Sequence, residues 1–125
     1  VVSHPNNKIA EKVGYFNGRK EGVAFKYFEN GNIQKKSFYK ENKLDRKKVV
    51  FWGNGKLASE SNYNNGAKSG LQQTWFENGQ LAMRKNLKDG KENGLQQAWL
   101  LNGKIYVNYE AKNGKIFGLR RANLC

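Results

Sequence analysis

The side chains able to do acid–base, nucleophilic or metal chemistry are few: one histidine, His4, and one cysteine, Cys125, in 125 residues. A zinc site is built from about four N, S or O ligands, and a nucleophilic dyad needs a base beside its thiol or hydroxyl. A lone His near one end of the sequence and a lone Cys at the other supply neither. Carboxylates such as Glu29 and Glu77 have the chemistry for proton transfer. Both stand next to an Asn-Gly dipeptide at matching positions of a repeat, which favours a structural role. The glycines precede strands rather than a helix N-terminus, so no phosphate-binding loop is present. The expectation is a non-enzyme with no catalytic residues, metal, cofactor or small-molecule substrate. A single cysteine forms no internal disulfide and gives no reading of redox compartment.

The remaining chemistry is charge. Lys and Arg number 23 against 10 Asp and Glu, a formal net charge of +13. Such an excess favours an acidic protein, an anionic lipid surface or nucleic acid. It equally describes a solvated sheet surface that repels its own copies. The basic residues are densest at Lys35, Lys36, Lys40, Lys43, Arg46, Lys47 and Lys48, against Glu41 and Asp45. This is a candidate contact for phosphates or carboxylates; the plainer reading is an exposed loop that tolerates charge. A second candidate recognition surface is Tyr106 and Tyr109 with Arg120 and Arg121, where polar groups stand beside tyrosines. Its plainer reading is a closing strand whose hydroxyls face water.

What positions these groups is a repeat. Asn30-Gly31, Asn54-Gly55, Asn78-Gly79 and Asn102-Gly103 are spaced by 24 residues. Asn17-Gly18, Asn65-Gly66, Asp89-Gly90 and Asn113-Gly114 form a second series on the same grid, with Glu41-Asn42 in its open slot. Gly22, Gly70, Gly94 and Gly118 form a third, with Arg46 in its open slot. A fixed period in this range signals a repeat architecture. Asn-Gly predicts a two-residue type I′ hairpin, which needs positive φ at both positions. The first series is therefore read as tight turns and the second as looser ones.

Alternation of apolar and polar residues, as at Val23, Phe25 and Tyr27, predicts strands rather than helices. With a two-residue turn at Asn78-Gly79, Phe76 is expected opposite Leu81 and Trp75 opposite Ala82. One face would carry Phe28, Trp52, Phe76 and Leu100 with Ile33, Leu57, Leu81 and Ile105. The other would carry Tyr27, Phe51, Trp75 and Trp99 over Ala58 and Ala82. Cross-strand pairs of this kind contribute about 0.2–1 kcal/mol each and hold a sheet without a central core; the lesser alternative for these aromatics is a ligand groove. The fold class expected is all-β: an elongated, open-ended, single-layer antiparallel meander of tandem 24-residue hairpins. Within one domain over 1–125, residues 1–21 form a partial capping repeat with Asn6-Asn7 in its turn slot. Full repeats follow over 22–45, 46–69, 70–93 and 94–117, and 118–125 form a partial repeat.

The pattern resembles the MORN repeat in its bacterial variant form. Gly70, Trp75, Phe76, Asn78, Gly79, Leu81, Leu87, Asp89, Gly90, Lys91 and Gly94 carry the resemblance, which recurs one period on and covers about 9–119. Proteins similar to this include antitoxins of the YwqK type. The resemblance implies protein–protein interaction, with neutralisation of a toxin as one form. It also implies an alternative, peripheral binding of anionic membrane lipid, since MORN repeats have been linked with phospholipid. Nucleic acid ranks third, because the aromatics are committed to ladders rather than to base stacking. Asn42, Arg46 and Lys47 depart from the pattern. No apolar run approaches the roughly 20 residues of a membrane span. The sequence begins Val1-Val2, so both a cytoplasmic protein and an exported one with a removed signal are expected readings.

Overall fold

The computed structural model describes residues 1–6 and 8–119. Asn7 of the first turn slot, Arg120, Arg121 and Cys125 lie outside the described residues. The strands are β1 (Val2–Ser3), β2 (Ile9–Phe16), β3 (Arg19–Tyr27), β4 (Ile33–Lys40), β5 (Lys43–Phe51) and β6 (Leu57–Asn64). They continue as β7 (Ala67–Lys68), β8 (Gly70–Trp75), β9 (Leu81–Lys88), β10 (Lys91–Trp99), β11 (Ile105–Lys112) and β12 (Lys115–Leu119). All 12 belong to one antiparallel sheet in chain order, with β7 paired to the end of β6 and β8 to its body. The all-β meander expected from the repeat is the fold observed.

The two turn series exchange roles. Positive φ at both central residues occurs at Asn17-Gly18, Glu41-Asn42, Asn65-Gly66, Asp89-Gly90 and Asn113-Gly114, which are the two-residue turns. In the Asn30, Asn54, Asn78 and Asn102 series only the glycine has positive φ, 93° at Gly79. There the Gly79 N–H donates to Phe76 O at 2.9 Å and the Phe76 N–H to Gln80 O at 2.8 Å. That is a three-residue loop, a type I turn closed by a left-handed glycine. The asparagine decides it: Asn78 Oδ1 accepts the Gln80 N–H at 2.9 Å. This local bond mimics a backbone turn without left-handed asparagine.

The longer loop shifts the register beside it. Trp75 pairs with Leu81 rather than Ala82, and the register slips between Thr74 and Trp75 so that Thr74 meets Met83. The same slip sets Phe51 against Leu57 and Trp99 against Ile105. Leu57, Leu81 and Ile105 therefore partner Phe51, Trp75 and Trp99, not the Phe28–Trp52–Phe76 set. Ala58 and Ala82 instead line a groove together with Trp52 and Phe76.

Because directly paired residues share a face, register sorts the side chains. Ala24, Ser37, Lys48 and Ser61 are linked in succession by pairing, as are Gln72, Lys85, Gln96 and Tyr109. The Ser59–Thr74 pair puts both runs on one face. Ser37, Gln72, Gln96, Ala98 and Ala111, all on this face, are buried. Five of the six buried side chains among the described residues thus lie on this face, the sixth being Ala58 at a register slip, and we read this face as the inner, concave side of the sheet. Its interior is small and polar, not a core of large apolar groups.

Candidate functional site

The period-2 geometry of a strand divides the basic run. Lys35 and Lys48 lie on the concave face, where Lys35 pairs directly with Lys26 and Lys48 with Ser37. Lys36 and Lys47 lie on the opposite face. Lys36 Nζ sits 5.8 Å from the Phe25 ring centre and 5.4 Å from that of Phe38, and Lys47 Nζ pairs with Glu60 at 3.0 Å. Lys40 and Lys43 face each other across the Glu41-Asn42 turn at the sheet edge. The seven residues thus do not form one contact surface.

The departure from the repeat pattern is chemical rather than geometric. Glu41 and Asn42 adopt φ of 50° and 68°, the same turn as their counterparts, and Asn42 Oδ1 accepts the Lys20 N–H at 2.7 Å. Arg46 holds φ of 67° where Gly70 and Gly94 hold 88° and 103°. In the regular repeats the glycine leaves room for an asparagine: a Cβ on Gly94 would stand 3.3 Å from Asn86 Cβ. Asn86 Nδ2 donates to Leu95 O at 2.9 Å, and Gln96 Nε2 donates to Asn86 O at 2.6 Å. Asn62 and Gln72 repeat this pair of bonds at 2.6 and 2.9 Å. One period earlier the slots hold Phe38 and Lys48.

Lys48 therefore carries a charge into the slot of a buried glutamine. Burial lowers its pKa below the usual lysine value, and the like charges of Lys35 and Lys68 lower it further. Beside it Ser37 is 1% exposed, and its Oγ has no hydrogen-bond partner among the described residues. Gln72 Oε1 and Gln96 Oε1 are likewise without one. Lys26, Lys35, Ser37 and Ala24 border a small pocket of about 90 Å³ together with Glu11, the register partner of Lys26.

Toward the three-residue loops, β5, β6 and β8 border a larger groove of about 590 Å³. Phe28, Trp52 and Phe76 line it with Val50, Ser59 and Thr74. These last three are in regular register and all belong to the concave face. Lys35 pairs directly with Val50, so the apolar groove adjoins the lysines. The rings that the sequence assigns first to ladders, and only second to a ligand groove, are here groove walls. The recurrence of Asn62 and Gln72 at Asn86 and Gln96 was the readable signal for the concave interior.

The C-terminal tyrosines differ in setting. Tyr106 stands unpaired at the register slip between the Trp99–Ile105 and Ala98–Val107 pairs and is 52% exposed. The Tyr109 hydroxyl, on the concave face, donates to Glu92 Oε1 at 2.6 Å, and Glu92 also accepts from Lys85 Nζ at 3.4 Å. The bond to Glu92, with burial and the carboxylate's charge, pushes the Tyr109 pKa up to about 12. His4 is part of the cap. Its Nε2 lies 2.8 Å from Tyr27 O, matching the 3.1 Å bond from Trp52 Nε1 to Trp75 O two periods on. No group of three metal-ligating side chains occurs among the described residues. Residues 20–41, 48–65 and 68–89 each match the family model described as a MORN repeat variant. No curated protein matches the chain significantly.

Proposed function

From the premise that this chain is a MORN-type repeat protein, a class associated with protein or membrane interaction, we propose that it is a non-catalytic module binding a partner protein on its concave face. The observation that carries this reading is the groove of about 590 Å³ walled by Phe28, Trp52 and Phe76. Aromatic, partly exposed walls beside charged groups are the composition of interface anchors. Repeat sheets present such extended concave surfaces by construction. Neutralisation of a toxin, which the YwqK-type resemblance implies, is one form of this binding.

The rival reading is peripheral contact of the lysines with anionic lipid. Each basic side chain near such a surface is worth about 1 kcal/mol and is screened by salt. A photo-crosslinking residue at Thr74, in the groove, is compared in source cells with one at Gln73 on the opposite face. Vesicles of anionic lipid are co-sedimented with the purified chain across a salt series. A discrete protein adduct from position 74 only, with no vesicle pelleting, is the expected result. Pelleting at low salt with no adduct would replace the protein reading by the membrane one.

A further inference from the structure

On the concave face, Lys26, Lys35, Val50, Ser59 and Thr74 follow one another across successive strands by direct pairing. The row is basic at its β3–β4 end and enters the apolar groove at its β5–β8 end. Lys26 and Lys35 stand directly opposite with like charge, an arrangement that destabilises a sheet. Among the described residues neither has an ion-pair partner within 4.0 Å; Glu11 on β2 pairs in register with Lys26 and offsets one of the two charges, which leaves Lys35 between Lys26 and Val50. Next to them the Ser37 Oγ is buried without a partner. An unpaired buried hydroxyl costs free energy that a bound acceptor would recover.

We propose that this row seats an extended acidic–apolar segment of the partner protein, running across the strands. Carboxylates at one end of the segment meet Lys26 and Lys35 and accept from the Ser37 hydroxyl; apolar or aromatic side chains at the other end fill the groove over Val50, Ser59 and Thr74. The proposal rests on the protein-binding reading and adds the chemistry of the partner. From β3 to β8 there are four strand-to-strand steps of about 4.8 Å, roughly 19 Å in all. At about 3.3 Å per extended residue, that is a segment of about six residues. The charge on the row is complementary to such a segment, and its two ends are too different to suit a uniform polyanion.

The test is selection of a random dodecapeptide library displayed on phage against the immobilised full chain. Selected peptides are then synthesised and titrated by the fluorescence of Trp52 and Trp75, both of which line the groove. The expected winners carry acidic residues on one side of an aromatic or apolar cluster. Lys26→Glu with Lys35→Glu, and separately Thr74→Lys, should each weaken binding at least about tenfold. Lys12→Glu with Lys36→Glu makes the same charge change on the opposite face and should leave binding within about twofold. If the reversed lysines disturb the fold by circular dichroism, Lys26→Ser with Lys35→Ser replaces them. Absence of enrichment, winners lacking the acidic end, or equal loss from both charge pairs would overturn the proposal. A crosslinked protein at Thr74 alongside any of those results would leave protein binding standing and remove the acidic–apolar segment alone.

Discussion

The guanidinium carbon of Arg46 lies 5.0 Å from the centre of the Phe38 ring, in the place where the next repeats pack Asn62 on Gly70 and Asn86 on Gly94. One repeat has replaced a glycine-dependent contact by a stacked cation. Arg46 does this at φ of 67°, a conformation that costs a non-glycine residue roughly 1–3 kcal/mol. An exposed cation–π contact returns only about 0.5–1 kcal/mol. Strain exceeds the return. Restoring the repeat with Phe38→Asn, Arg46→Gly and Lys48→Gln together should therefore raise stability by about 1–2 kcal/mol in urea unfolding. A lowered midpoint would show that the stack is the better local solution.

The two turn classes make opposite demands on asparagine. Asn65 has φ of 51° and sits in a two-residue turn. Asn78 is absent from the left-handed region and uses its side chain to hold the Gln80 N–H. Asn65→Gly should be close to neutral, because glycine adopts that φ freely. Asn78→Gly should cost about 1 kcal/mol, since it removes a hydrogen bond and adds backbone freedom. Gly79→Val, at φ of 93°, should cost about 2 kcal/mol or more. Equal effects of the two Asn→Gly changes in thermal melts would mean that the classes are not distinct.

These turns also show what the sequence carried. The 24-residue spacing of Asn78-Gly79 and its counterparts was enough to place every hairpin, because Gly and Asn punctuate strands wherever they occur. Which hairpin was tighter was not legible. Asn-Gly suits both the two centre residues of a type I′ turn and the last two residues of a type I turn begun two residues earlier, at Phe76, and the Asn78–Gln80 bond marks the second. One extra loop residue then moved Leu81 from Phe76 to Trp75 and hid the groove. The basic run failed differently: Lys35 and Lys36 are adjacent in sequence but on opposite faces, so density along the chain said little about density on a surface. Ser37 gave no signal, since a serine directly after two lysines reads as exposed.

Gln96 tests the concave interior. It is fully buried, and Nε2 donates to Asn86 O at 2.6 Å and to Gly94 O at 3.3 Å. Gln96→Met keeps the volume and leaves those carbonyls short of a donor, a loss of about 1–3 kcal/mol. Gln96→Glu sets a buried charge against two acceptors and should cost about 3 kcal/mol or more at neutral pH. The introduced carboxyl would have a folded pKa above its unfolded value of about 4.3. Its destabilisation should therefore shrink as pH falls through the folded value and be least below about pH 4. A glutamate variant as stable as the methionine one at pH 7 would contradict the donor role of Nε2.

Tyr109 and Glu92 give a test at the alkaline end. The hydroxyl donates to the carboxylate at 2.6 Å, and a tyrosinate in its place would face a like charge. The folded pKa is raised to about 12 from 10.0, so the folded chain holds this proton more tightly than the unfolded chain. The stabilisation from the pair is fully present below pH 10.0 and is lost as pH rises toward about 12. Tyr109→Phe removes the bond at every pH and should cost about 1 kcal/mol at neutrality, the site being partly open to solvent. The gap between wild type and Tyr109→Phe should stay level from about pH 7 to 9 and close above pH 10.0. Comparing the two proteins cancels the titration of the other tyrosines and lysines. Glu92→Gln should bring one tyrosine back toward its ordinary range in a tyrosinate absorbance titration. If the gap keeps its neutral-pH size at pH 12, Tyr109 is not hydrogen-bonded to Glu92 in solution.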